Sequence, residues 1–426
     1  MAPDKPREPI FSLRKNLRRF FVPPPHQNGV LDGFRALSIL YVILFHAFYL
    51  PQPAFADLQG FTDFVHSVPA WFNWVWHGDS GVDMFFILSG FLIATILLRE
   101  QDQAGSVDVK RFYGHRLLRI LPVYVFAVML YSVPENSNRD YFWANLLFIN
   151  NFLPLDKILI PWSWSLSIEM QFYLLFPLLF FALLRSARPL SWLVMLFLGA
   201  TAIRYLVIAL YPELYEKSFY YHSIATPGHR PHLMFEQVYM NLYTRMGPLI
   251  LGVLMAWSYY HHREVIRDWL QAHAAIAAGV ALLAVLMVAG VTAVDVFNPS
   301  IERGEAFNLH YMAWYRNLFS LGMAVLLFLA LFGVGPGRLL HSVLALRFWY
   351  PLAQAAYSTY LFHIPFLAVG YWLMLDGQVD GLKALALGDV FGAILIAILC
   401  SLIFSLLIYL FIERPFMNIY KRKRSA

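Results

Sequence analysis

Residues Leu31–Leu50 read LDGFRALSILYVILFHAFYL, an apolar run long enough to enter a bilayer that still carries Arg35 near one end and His46 near the other. At about 100° per residue, a spacing of eleven returns to nearly the same helix face, with a rise of roughly 16 Å. A permanent cation and a titratable imidazole on one stripe inside a membrane cost several kcal/mol, so such residues line a polar path or face a partner. The stretch therefore predicts an all-α membrane protein with a polar interior.

Composition agrees. The chain has 426 residues, 59% hydrophobic and 14% charged, with a mean hydropathy of +0.57, which argues against two or three soluble domains. About ten windows reach the length and apolarity of a bilayer-spanning helix. They are 34–50, 82–98, 117–133, 164–184, 190–211, 243–260, 274–294, 312–333, 352–375 and 388–412. A further segment, 141–155 (YFWANLLFINNFLPL), is short and holds Asn145, Asn150 and Asn151. It reads as an eleventh helix or a re-entrant element. Charge decides between ten and eleven. Ten spans with the amino terminus inside place most of the 32 Lys and Arg residues on the inner side, among them Arg111, Arg116, Arg119, Arg185, Arg188, Arg338 and Arg347. The first outer loop, 51–81, has none. Eleven spans would export the closing Lys421, Arg422, Lys423 and Arg424, against the positive-inside bias. The expectation is a polytopic membrane protein of ten helices with both termini cytoplasmic and 141–155 re-entrant or lying at the outer face.

Residues 1–30 are read as a basic cytoplasmic tail, 31–416 as the transmembrane domain and 417–426 as a second basic tail, with no cleavable signal peptide and no appended soluble domain expected. The net charge of +6 is then a topology signal, and no nucleic-acid partner is expected. The single cysteine, Cys400, excludes an intrachain disulfide. No phosphate-binding glycine pattern opens a helix, and no Cys/His spacing predicts a metal; His261, His262, His229 and His232 are read as loop histidines.

The intramembrane polar groups separate by depth. His46 lies about 6 Å below the outer end of the first helix, and Glu169, in PWSWSLSIEMQFY, about 8 Å below the outer start of the fourth. Base and carboxylate share a level, which suits a carboxylate that holds an imidazole in one tautomer; an interhelical hydrogen bond is the structural alternative. At the inner level, Arg35 joins Arg116 and Arg119, which are i, i+3 on one face in KRFYGHRLLRILP and suit a phosphate or pyrophosphate; a topogenic basic loop is the alternative. Between the levels lies His363, in AAYSTYLFHIPF beside the helix-kinking Pro365, as a path-lining or interhelix residue. Tyr360, Ser358, Asp83 and Ser167 are further candidates for the substrate path. Ser89 and Gly90, in GDSGVDMFFILSGFL, predict a close helix crossing. Arg204, Asn241, Arg245, Arg316 and Asn317 form an outer polar set that suits a hydroxyl-rich acceptor, though each singly reads better as structural.

Arg35 with His46, FFILSGFL, the R-x-x-R of Arg116 and Arg119, SLSIEMQF, YSTYLFH and the closing IERPF together resemble the membrane-bound acyltransferase-3 family, over about 30–416. The resemblance implies ten core helices in a bacterial inner membrane and an O-acyltransferase. It further implies an acyl-CoA donor on the cytoplasmic side, acetyl-CoA by default, and a cell-surface or lipid-linked glycan acceptor on the outer side. It suggests Arg35, His46 and Glu169 as catalytic positions and Arg116 and Arg119, with Arg35, near the donor's phosphates. Some members carry an extracytoplasmic hydrolase-like domain after the helices, which is not expected here. The reading from another class is a glycan or lipid-linked sugar exporter, in which the same polar path conducts without chemistry.

Overall fold

A computed structural model describes residues 11–25, 27–134, 138–216, 233–298, 301 and 303–424. Residues 1–10 and much of the long loop after the fifth helix, with His229 and His232, lie outside the described residues. Among the described residues, ten helices of 19 residues or more make the body. They are α1 (Gly29–Tyr49), α2 (Gly81–Ala104), α3 (Val109–Tyr131), α4 (Trp164–Arg185), α5 (Pro189–Ala209), α6 (Leu242–Ala272), α7 (Ala274–Thr292), α8 (Glu305–Phe332), α9 (Trp349–Met374) and α10 (Leu387–Ile408). Helix α6 is kinked at His262, so His261 and His262 lie at a helix break and not in a loop as expected. Among the described residues eight are long and apolar enough to cross a membrane by composition alone, and α6 and α9 are two more of comparable length. The molecule is a multi-pass membrane protein. Leucines such as Leu178, Leu283 and Leu395 stand 70%, 59% and 59% exposed, which only a lipid surround makes favourable in such numbers.

Both described ends of the chain meet at one end of the bundle, here called proximal. Phe20 packs edge-on against Tyr409, with ring centroids 5.1 Å apart, and the Tyr350 hydroxyl, at the start of α9, donates to the Arg19 carbonyl at 3.0 Å. The helix starts are set locally. Asn28 caps α1 by accepting from the Val30 amide, and Asp108 caps α3 by accepting from the Arg111 amide. At the distal end, segment 51–57 meets 382 in a single backbone bridge, Phe55 with Leu382.

Segment 138–163 settles the choice left by the sequence: it does not span. Its two limbs come together where Asn138 donates to the Ile158 carbonyl at 3.1 Å. Between them the chain enters the bundle, and Asn145, Asn150 and Asn151 are all buried. Asn145 and Asn150 both donate to the Ser163 hydroxyl at 2.9 Å, and Gln171 of α4 donates to Asn151 and to the Phe148 carbonyl at 2.8 and 3.0 Å. Non-helical backbone at membrane depth needs such partners, because no water is there to satisfy it. Three asparagines in an apolar 15-mer were the sequence signal for this.

Helices α2 and α6 cross in close backbone contact. A Cβ on Gly252 would fall 2.7 Å from the Phe91 amide nitrogen and 3.0 Å from the Cα of Gly90, so glycine on both helices lets the two backbones touch. This crossing holds α2, and with it Ser89, at its depth. Gly252→Val is expected to push the helices apart and destabilise the protein by about 1–3 kcal/mol, as overpacking does. Gly199→Ala, at a position with open space around it, serves as the control and should leave the unfolding midpoint in detergent unchanged or slightly raised.

Candidate functional site

In the proximal half of the bundle, Arg35 of α1 and Arg116 and Arg119 of α3 line one cavity of about 140 Å³. Glu169 and Tyr173 of α4, Ser89 of α2, Tyr360 of α9 and Glu413, just beyond α10, line it as well, with Ser165, Gln354 and Tyr357. Arg116 is only 6% exposed and lies by two rings, 5.9 Å from the Phe112 centroid and 5.3 Å from that of Tyr173, and its Nη2 is buried without a hydrogen-bond partner among the described residues. Glu169 accepts from the Ser89 hydroxyl at 2.6 Å and from Tyr173, one turn along the same helix. Arg35 is 3.9 Å from Asp32, three residues earlier on its own helix.

The expected pairing of His46 with Glu169 is corrected by this arrangement. Among the described residues the two share no hydrogen bond, and His46 lines neither the arginine cavity nor the groove beside it. The cause is the depth at which α4 begins. Trp162 donates its indole N–H to the Leu361 carbonyl at 3.1 Å, and Tyr360 donates its hydroxyl to the Trp162 carbonyl at 2.6 Å. Leu361 lies halfway along the 26 residues of α9. Helix α4 therefore starts near the middle of the bundle, because the re-entrant segment has already carried the chain inward. Glu169, five residues on, lies about 7 Å nearer the proximal end. That is the level of Arg35, Arg116 and Arg119, which stand roughly 9–15 Å above the proximal starts of their helices.

His46 instead faces His363. Its Nδ1 lies 3.2 Å from Nε2 of His363, with the rings edge-to-face at 4.8 Å. His363 is fully buried, whereas His46 keeps part of its surface open. Tyr360 joins the two levels, since it lines the arginine cavity and stacks on the His363 ring at 5.9 Å. The other path candidates divide. Tyr360 lines the arginine cavity. Ser167 is turned to the re-entrant segment, where it donates to Asn150, and Ser358 is buried away from the cavity wall.

Asp83 belongs to a separate buried charge cluster. Arg316 of α8 donates to Asp83 at 3.0 Å and pairs with Asp79; Arg245 of α6 lies 3.1 Å from the other Asp83 oxygen, between the rings of Trp164 and Tyr239 at 5.0 Å each. Arg204 spends its donors on the carbonyls of Met312, Val238 and Thr244, and Asn317 donates to Thr201. Most of the outer polar set is thereby internally paired and ties α2, α5, α6 and α8 together. Sequence reading missed Asp79, Tyr173 and Glu413. Tyr173 could have been found as the i+4 neighbour of Glu169, and Glu413 as the lone carboxylate of the closing IERPF. Among the described residues no group of three or more His, Cys, Asp and Glu side chains is placed to hold a metal ion.

A polytopic bundle with a buried arginine–carboxylate cavity and, beyond Tyr360, a pair of imidazoles sets the class, and comparison with known proteins supplies the family. The profile described as an acyltransferase domain, acyltransferase-3, matches residues 28–410, and the chain belongs to that family. It is similar to the O-acetyltransferase OatA of Staphylococcus aureus strain NCTC 8325 / PS 47, and to that of strain COL, at 25% identity over 410 residues in each case. The match covers 90% of this chain and 56% of either relative, so the chain spans just over half the length of the curated relatives it matches. No solved structure matches it significantly.

Arg316→Met leaves Asp79 and Asp83 short of the cation that bridges them. Breaking one side of a buried pair costs about 3–5 kcal/mol. The expected result is a matching drop in stability on SDS titration of the protein in mixed micelles.

Proposed function

We propose that this protein is an integral-membrane O-acyltransferase. In this reading an acetyl group is drawn from acetyl-CoA at the proximal, cytoplasmic end and delivered to a hydroxyl of a cell-surface or lipid-linked glycan at the distal, outer end, in a bacterial inner membrane. One observation carries the reading: Tyr360 lines the arginine cavity and stacks on His363, the partner of His46, so a single side chain separates the cationic site from the imidazole pair. The basic residues at the proximal end support that end as cytoplasmic. The relatives are O-acetyltransferases by name, which supports acetyl as the group moved.

Size and charge suggest how the donor would lie. The inner cavity, about 140 Å³, has the volume of only a few water molecules and suits a narrow chain, not a nucleotide. A second groove of about 460 Å³ is lined by Arg99, Arg111, His115 and Arg116, with Glu100. Arg116 borders both spaces. The nucleotide would rest in the groove, with phosphate on the guanidinium forks, and the slender arm would pass Arg116 into the cavity. Arg35 and Arg119 would hold polar groups of that arm, while Glu169, held by Ser89 and Tyr173, balances their charge. A thioester supplies an acyl carbon with a good leaving group. His46 would take the proton of the acceptor hydroxyl as its oxygen bonds to that carbon, and would return the proton to the sulfur as the C–S bond breaks.

The test is purified protein with radiolabelled acetyl-CoA and candidate glycans, followed by thiol release and label transfer. His46→Ala is expected to lower turnover by about 10²–10⁴-fold in a folded protein. Arg116→Ala is expected to raise the KM for acetyl-CoA more than it lowers kcat. Full activity in His46→Ala would remove the base from this scheme. Vesicles that carry glycan across without thiol release would favour the exporter.

A further inference from the structure

The imidazole pair has an internal logic that the reaction scheme does not use. Each ring meets a main-chain carbonyl through Nδ1: His46 at 2.9 Å from the Val42 oxygen and His363 at 2.8 Å from the Tyr360 oxygen. A carbonyl oxygen only accepts, so both Nδ1 atoms carry hydrogen. Nε2 of His363 is then a bare lone pair, 3.2 Å from Nδ1 of His46, and the Nδ1–H of His46 is shared between that lone pair and Val42. Nε2 of His46 is left with its own lone pair and takes part in no described hydrogen bond. The partly open ring thus presents a basic nitrogen, and the fully buried ring holds it in place.

We infer that His363 is the positioning residue of this site: it locks His46 into the Nδ1–H tautomer and aims Nε2 at the acceptor hydroxyl. This rests on the reading of His46 as the base. It assigns to a neutral imidazole the task a carboxylate often performs, which Glu169, committed to the arginine cavity, does not perform here. The groups packed round the pair come from α1, α9 and the re-entrant segment. They are Phe45 at 5.2 Å from the His46 ring, Tyr360 and Trp162 at 5.9 and 6.2 Å from that of His363, and the Tyr371 hydroxyl on the neighbouring Ala47 carbonyl. No acidic side chain among the described residues hydrogen-bonds to either ring; Asp79 reaches His46 only through its field and is itself paired with Arg316. A neutral partner stabilises the imidazolium less than a carboxylate would, so the proton taken from the hydroxyl stays available to the departing sulfur.

Two amides of different reach test the assignment. In His363→Gln the amide can place its oxygen where Nε2 stood and still accept from His46; in His363→Asn it reaches only the Nδ1 position, toward Tyr360. In folded, purified proteins, His363→Asn is expected to lower kcat about tenfold or more with the KM for acetyl-CoA within twofold of wild type. His363→Gln should recover several-fold of that loss. In a His46→Ala background, His363→Asn should cost nothing further. Equal activity of the Gln and Asn variants, whether high or low, overturns the positioning role. Full activity of His46→Ala overturns the base reading instead, so the two failures are separable. Histidine ¹⁵N spectra of the unsubstituted protein in lipid give a readout that needs no variant. Both rings are expected as Nδ1–H tautomers, and an Nε2–H signal for His46 overturns the proposal.

Discussion

Glu169 sits where an isolated carboxylate would cost several kcal/mol, and the chain before it determines what it meets there. Had α4 run from the distal surface, Glu169 would lie one or two turns below that surface, level with His46. Because segment 138–163 enters the bundle first, α4 starts near mid-depth and Glu169 arrives among three arginines. The hydrogen bonds of Asn145, Asn150, Asn151 and Ser163 thus set the composition of a cavity they do not themselves line. Without them the inner site would hold arginines with less counter-charge, and lipid would penalise the imbalance.

A second set of buried charges has a different task. Asp79 and Asp83 with Arg316 and Arg245 lie away from the cavity and are paired with one another. Helix association in lipid gains nothing from excluding water, so packing and interhelical polar contacts carry it. The close α2–α6 crossing at Gly90 and Gly252 provides the first, and these ion pairs provide the second. Both act on α2, the helix that also presents Ser89 to Glu169. Scaffold and candidate site are therefore coupled through one element.

Much was legible before any coordinates. The hydropathy windows marked all ten long helices, because a bilayer demands about twenty apolar residues in register whatever their partners. The basic residues separated ten spans from eleven. Arg116 and Arg119 were placed on one face by an i, i+3 spacing, and both line the cavity. The Ser-Gly of FFILSGFL predicted a close crossing, and Gly90 makes one. What failed was depth. Counting residues from an assumed helix end put Glu169 at the wrong level, since no local signal states how far a re-entrant segment descends. Ser167 and Asp83 were assigned to the path on polarity alone, although their partners, Asn150 and Arg316, lie 17 and 233 residues away.

The sequence by itself determined which segments enter the membrane and which charged or titratable side chains go with them, because those are properties of single helices set by length, hydropathy and period. Only the tertiary structure decided which of these side chains face one another: Glu169 with Ser89 and Tyr173 beside the arginines, and His46 with His363. A buried polar group takes whatever partner the packing brings within about 3 Å. In this bundle that choice turned on how deep one loop reaches before the helix after it begins.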